Sequence, residues 1–362
     1  MTLSTPKIDD ITARALTIPT DAPEADGTLS WSDTTIVLVE ISAGGKRGLG
    51  YTYTAGAAAD LVSGKLANVL RGRDAFDIPG LWLAMVAAVR NIGWRGLAAN
   101  AISAADIALW DLKAKLLDLP LYKLLGAVRD EVPIYGSGGF TSYSDKQLQE
   151  QLAGWVEDGC RWVKMKIGSE PDRDLKRVDA ARHAIGTATL FVDANGAYAR
   201  KQALAFAEKF AGVGWFEEPV SSDDLEGLRL MRDRAPAGME IAAGEYGYDP
   251  FYFRRMVEAG AVDVLQADAT RCCGITGFLK AAEIAASFSV PMSGHTAPSV
   301  HMHVCCAVPH LQHLEWFHDH VRIEQGIFDG APRASGGAVR PDPQRPGLGL
   351  EFKPADAKRM AA

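Results

Sequence analysis

The chain has no Lys/Arg block, no uncharged apolar run near the roughly 18 residues a membrane helix needs, and no Cys-x-x-Cys pair. Each absence excludes something. With no basic stretch and a net charge of −7, nucleic acid and anionic membrane surfaces are poor partners. The N-terminal stretch carries Asp9, Asp10 and Arg14 and no apolar segment of the secretory type, so a cytoplasmic location is expected. The five cysteines include two adjacent pairs, Cys272-Cys273 and Cys305-Cys306. Neighbouring cysteines rarely bridge each other, and neither pair has zinc spacing, so free thiols are expected. Gly44-Gly45-Lys46-Arg47-Gly48 lacks the Gly-Lys-Ser/Thr ending of a phosphate loop and reads as a hairpin turn.

What is present is periodic. At 362 residues, 48% apolar, the chain is long enough for a barrel plus a smaller domain. Residues 34–41 and 48–54 read as a β-hairpin, and helical patterns follow over 57–70, 81–89 and 99–119, which together make an α+β domain. Residues 20–30, rich in Asp, Pro and Gly, are expected to be a mobile loop between the first two strands. Thereafter short apolar runs starting near Val132, Trp162, Leu190, Gly214, Glu240, Val262, Val290 and His313 alternate with helical stretches. Eight such strands are the number a closed β/α barrel requires, so the expected fold class is α/β with a TIM-type barrel. The Gly/Pro-rich tail is expected to run back to the first domain.

Asp193, Glu217 and Glu245 each close one of these runs, 24 and 28 residues apart, about one strand, one helix and two loops. C-terminal ends of parallel barrel strands share one rim, so the three acids are expected to converge, and their repulsion calls for a hard divalent ion such as Mg²⁺. Lys164 and Lys166, two apart in one strand, point to the same face. Beside each other and a cation, at least one is expected to have a lowered pKa and to act as a base. His295 and Asp268 close two later runs and make a dyad in which the carboxylate orients the imidazole. Glu315, on the last strand, reaches the same rim as a donor to an anionic intermediate. A lysine pair alone would more often be a solvated edge, and a lone histidine structural; the acid series between them favours chemistry. The set suits abstraction of a proton next to a carboxylate, where the barrier is stabilisation of a dianionic enolate.

Other patterns carry less. His301-Met302-His303 with Cys305-Cys306 suggests zinc, but on a helix residues two apart diverge by about 200°. His318-Asp319-His320 reads as a loop near the rim. Trp31 is a candidate lid residue.

These residues, with the helix 101–111 (AISAADIALWD), resemble the enolase superfamily and within it the mandelate racemase-like subgroup. The resemblance implies a modified TIM (β/α) barrel with an N-terminal α+β capping domain. Residues 1–125 would form the cap with its lid and specificity loops, 126–326 the barrel, and 327–362 a segment returning to the cap. It further implies one Mg²⁺ per subunit held by Asp193, Glu217 and Glu245, with Glu218 behind them. Lys166 would be the base on one face and His295, paired with Asp268, would act on the other. Lys164, Asn195 and Glu315 would bind the substrate. The chain departs from the family in Ala269-Thr270-Arg271-Cys272-Cys273-Gly274, where a glycine-rich turn is common, and no lysine follows Asp268 until Lys280, which argues against the muconate-lactonising subgroup.

The implied activity is a lyase: dehydration of a sugar acid, aldonic or aldaric, to a 2-keto-3-deoxy acid. A racemase or epimerase of a 2-hydroxy acid and a cycloisomerase of a sugar-acid lactone use the same partial reaction, and a metal-dependent ligand-binding module is the non-enzymatic alternative. The implied partner is a small carboxylate; homo-oligomers are usual in similar proteins. Substrate specificity is expected in residues 20–30, in Gly50-Tyr51-Thr52-Tyr53, and in the turns after Asp268 and His295.

Overall fold

A computed structural model describes residues 5–210 and 212–361. Three long antiparallel strands come first, β1 (Ile8–Ala25), β2 (Ser30–Ala43) and β3 (Lys46–Tyr53), in that order across the sheet. The unbroken apolar run in β2 is buried on both faces. Ile36 and Leu38 join the core shared with the barrel, while Val37, Val39 and Ile41 join that of the cap.

The helix Leu97–Leu116 lies against β3, and its many alanines have a steric reason. A Cβ at Gly50 would stand 2.1 Å from the Ala104 carbonyl oxygen and 2.5 Å from the Ala108 nitrogen. The helix also ties the parts of the chain together. Asp106 accepts hydrogen bonds from Thr276 N and Oγ1, and Asp111 accepts from Leu49 N and Leu348 N.

Residues 20–30 differ from expectation. β1 continues to Ala25 and β2 begins at Ser30, with the register slipping between Pro19↔Asp33 and Glu24↔Trp31. The slip takes up the Pro-containing stretch as an irregularity of an edge strand, where proline is tolerated. Only the turn 26–29 remains, and the Asp26 carboxylate ties it by accepting from Thr28 N and Leu29 N. The expected mobile loop is therefore largely strand.

The second layer is a closed parallel barrel: β4 (Val132–Gly138), β5 (Trp162–Lys166), β6 (Thr189–Asp193), β7 (Val213–Glu217), β8 (Glu240–Ala243), β9 (Val264–Ala267), β10 (Met292–Gly294) and β11 (Leu311–Phe317). Each strand pairs with the next and β11 pairs back to β4. All eight begin within two residues of the positions the sequence indicates. Side-chain alternation fills the interior below the rim: Phe191, Trp215, Tyr135 and Val264 cluster there, with His313 against the rings. Residues two further along, Asp193 and Glu217 among them, form the next layer up.

His318-Asp319-His320 is not a loop: it opens the helix His318–Ile327 directly after β11. The tail does reach the cap, through a Pro120–Gly347 bridge and the Arg14 guanidinium over the Phe352 ring. All five cysteines are free and buried. Among the described residues no helix is long and apolar enough to cross a membrane.

Candidate active site

Lys166, Asp193 and Glu217 stand level across β5, β6 and β7, as register partners in turn. Glu245 lies just past β8, after Gly244 at φ +135°, a conformation that an L side chain rarely adopts. A Cβ on Gly244 would also meet the Gln266 carbonyl oxygen at 2.1 Å. Three other strand ends lead into left-handed residues, Asn195 (φ 45°), Glu218 (φ 38°) and Thr296 with Ala297 (φ 47° and 38°). Such strain, about 1–3 kcal/mol per residue, clusters where a site over-determines the backbone.

Each acid faces a cation of the protein. Lys166 Nζ bonds Asp193, while Lys164 Nζ lies 2.6 Å from Glu217 Oε1 and 2.8 Å from Glu315 Oε1. Glu245 Oε2 is 2.7 Å from His295 Nε2, and Arg271 lies 3.6 Å from Glu245 Oε1. Drawn to these separate partners, the acids do not close on one point. Among the described residues only Asp21, Glu24 and His318 have acid or imidazole ligand atoms all within 4.8 Å of one another. Trp215 Nε1 and Gln266 Nε2 donate to Glu217 Oε2 from below, contacts that sequence reading did not find. The period-two spacing of Trp215 and Glu217 was the signal for the first.

The two lysines stand among carboxylates. Burial pushes both ammoniums down in pKa, but Glu217 and Glu315 around Lys164, and Asp193 beside Lys166, outweigh it and hold both above the usual value. Glu315 differs from expectation. Burial alone would raise its pKa, yet Lys164 and His295 bring it to about 2, so it is ionised and accepts hydrogen bonds, including one of 2.6 Å from Ser137 Oγ.

His295 Nδ1 lies 2.9 Å from Asp268 Oδ2. Burial would lower the imidazole pKa, but Glu245, Glu315 and Asp268 raise it to about 9, so the ring is protonated near neutrality. Asp268 is fixed in turn by Thr270 N and Oγ1. His301, the first histidine of the zinc-like pattern, accepts from Ala269 N at 2.8 Å and so supports the turn after Asp268. His303 Nε2 faces the Leu348 carbonyl.

Lys166, Asn195, Glu245, Arg271, His295 and Glu315 open on one cavity of about 380 Å³, roofed by Trp31, Thr34 and Tyr53 of the cap. Tyr246, also in its lining, was not singled out from sequence, while His320 stands near the rim as expected; Arg271 lies over the Tyr246 ring and His320 stacks on Tyr53. A larger cleft of about 660 Å³ lies elsewhere, between cap and tail. Arg14, Lys115 and Arg345 in its lining are paired with Glu40, Asp111 and Asp329.

The residues fit a hard divalent cation. Asp193, Glu217, Glu218 and Glu245 are all buried, and Glu218 Oε1 and Asn195 Oδ1 have no hydrogen-bond partner. Burial and then the neighbouring carboxylates raise Glu217 to about 8 and Glu218 well above the carboxylate range, so positive charge is short on this side of the rim. An all-oxygen donor set of this kind suits Mg²⁺ rather than a thiophilic metal.

Comparison with known proteins agrees. Residues 147–357 match the enolase C-terminal domain-like family, and residues 10–126 match the N-terminal domain of mandelate racemase / muconate lactonizing enzyme. The L-talarate/galactarate dehydratase of Salmonella typhimurium is 34% identical over 83% of this chain and 78% of its own. The 3,6-anhydro-alpha-L-galactonate cycloisomerase of Streptomyces coelicolor is 34% identical over 84% of this chain and 85% of its own. Among solved structures, a mandelate racemase/muconate lactonizing enzyme-like protein from Rubrobacter xylanophilus superposes with a TM-score of 0.96 at 54% identity, covering 98% of this chain and 99% of that one. A racemase from Streptomyces coelicolor A3(2) with bound magnesium gives 0.92 at 31% identity over 98% of this chain and 100% of that one. Barrel, cap and rim chemistry thus define an enzyme of the enolase superfamily. Within it, the chain belongs to the mandelate racemase / muconate lactonizing enzyme family, in the mandelate racemase-like subgroup.

Proposed function

We propose that this enzyme is a Mg²⁺-dependent dehydratase that converts a sugar acid to its 2-keto-3-deoxy acid. Asp193, Glu217 and Glu245 would hold the ion, with Glu218 behind them. When bound, the ion supplies positive charge to the substrate carboxylate and offsets the carboxylate charge that raises the two lysines. Lys166 Nζ takes the α-proton in its neutral form. Asn195 and Glu315 orient the substrate at the rim, and Lys164, fully buried and outside the cavity lining, holds Glu315 in place.

The observation that carries the reading is the placement of an amine and an imidazolium on one cavity from different sides. β5 and β10 are three strand steps apart through β4 and β11, and five the other way. His295, protonated near neutrality, can deliver a proton to the β-hydroxyl. The Cα–H electron pair becomes the double bond, the Cβ–O bond breaks, and water leaves. The enol then tautomerises to the 2-keto acid. The dehydratase among the relatives supports this outcome. The cycloisomerase is as similar in sequence, so expulsion of a ring oxygen rather than water is the second reading.

Incubation of sugar acids with the Mg²⁺-loaded enzyme in D₂O, followed by NMR, tests both. A 2-keto-3-deoxy product with wild type, and loss of α-exchange in Lys166→Ala, are expected. A clean epimer or a rearranged lactone as sole product would exclude the dehydratase.

A further inference from the structure

The cavity is electrically lopsided. Its lining cations, Lys166, Arg271 and His295, all stand at the barrel rim, and each already faces a carboxylate of the site. The opposite end is made by the cap and the start of the helix His318–Ile327, and among the described lining residues it carries no cation. Trp31, Tyr53 and Phe317 contribute rings to the lining and Thr34 a hydroxyl that donates to Asp319, while the Thr35 hydroxyl bonds Thr17. The only charged side chains of the lining there are Asp26 and Asp33.

The wall behind this end adds no free cation among the described residues. Glu24, buried, accepts from Trp31 Nε1 at 2.8 Å, and burial raises its pKa to about 8, so it adds neither positive charge nor a full negative one. Asp319, fully buried, accepts from Thr34 Oγ1. Arg322, outside the lining, pairs with Asp319 and balances its charge, and His318 Nε2 lies 2.9 Å from Asp21. His320, in the lining, is kept neutral because burial pushes its pKa well below the usual value.

We propose that the substrate is a monocarboxylate with a neutral, hydroxyl-bearing tail, an aldonic rather than an aldaric acid. This narrows the dehydratase reading above and rests on it. With one carboxylate at the rim, the rest of the molecule extends under the cap. A second carboxylate there would exchange water for neutral groups beside Asp26 and Asp33, with no cation of the lining to offset the cost. A hydroxyl instead finds the Asp33 carboxylate and the Thr34 oxygen as acceptors, and the carbon chain packs on Trp31 and Tyr53. The inference parts from the diacids named for the Salmonella relative.

Matched pairs of aldonic and aldaric acids, of the same stereochemistry, test it on the Mg²⁺-loaded enzyme. Two readouts are taken: kcat/KM, and the rise in Tm each acid produces on Lys166→Ala. The best aldonate is expected to exceed its aldarate by about 100-fold or more in kcat/KM and to stabilise the variant at lower concentration. Asp33→Lys, a change at an exposed position, is expected to narrow that gap roughly three- to tenfold at low salt. Aldarates turned over as well as aldonates, or a gap unmoved by Asp33→Lys, would overturn the inference while leaving the dehydratase reading intact. No turnover and no Tm shift with either series would overturn both.

Discussion

His295 and Asp268 meet across adjacent barrel strands, with imidazole Nδ1 2.9 Å from carboxylate Oδ2. The contact fixes which ring nitrogen faces away from the substrate, and Nε2 is left to point at Glu245 and the cavity. Asp268→Asn keeps the shape and removes the charge. Turnover is expected to fall by roughly 10²–10⁴-fold. A general acid is lost as pH rises through its pKa, and Asp268 is one of the groups raising that of His295 to about 9. The alkaline limb of the kcat–pH profile is therefore expected to move to lower pH in the variant. A limb that stays in place would separate His295 from the proton delivered to the leaving group.

Chelation should abolish turnover, and Mg²⁺ should restore it. Because the carboxylates that raise one another's pKa would gain a counter-charge, the ion should also stabilise the fold. At about 100 times its Kd, an ion binding only the folded chain contributes about 2.7 kcal/mol, or several degrees in Tm. Glu217→Gln is expected to lose most of that increment. Equal Tm values with and without Mg²⁺ would count against the rim as a metal site.

Asp106 is buried where the helix Leu97–Leu116 meets the barrel, and burial, only partly offset by Thr276 and Ile275, raises its pKa from the usual 3.8 to about 7. The folded protein thus binds this proton more tightly than the unfolded chain. Its contribution is fully present below about pH 4 and is lost as pH rises to about 7. Asp106→Asn cannot titrate, so its stability should change less between pH 5 and 8 than that of wild type, by about 1–3 kcal/mol. Chemical unfolding at the two pH values reads this difference directly. Parallel curves would show that the carboxylate stays ionised.

Gly50→Ala places a methyl group where the Ala104 carbonyl already stands, 2.1 Å away. Both atoms belong to backbones held in a sheet and a helix, so neither yields cheaply. A loss of about 3 kcal/mol or more is expected, seen as a large drop in Tm or as insoluble expression. A variant as stable as wild type would mean that the helix can shift away from β3 at little cost.

The eight barrel strands and the strand-end positions of Asp193, Glu217, Asp268, His295 and Glu315 were legible from the chain alone. The reason is local: strand alternation and the strand–helix interval are properties of consecutive residues, and a parallel barrel places all strand ends on one rim. Charge partners were not legible. Lys164 reaches Glu217 and Glu315 from strands 53 and 151 residues further on, and these contacts raise its pKa against the effect of burial. Arg271 enters the cavity, and β1 and β2 extend through a stretch whose Pro and Asp content reads as loop, because of neighbours supplied by closure. Which residues stand at the rim is thus written in the order of the chain. Ion pairing and pKa depend on distances across the closed barrel and under its cap, and no interval along the sequence encodes them.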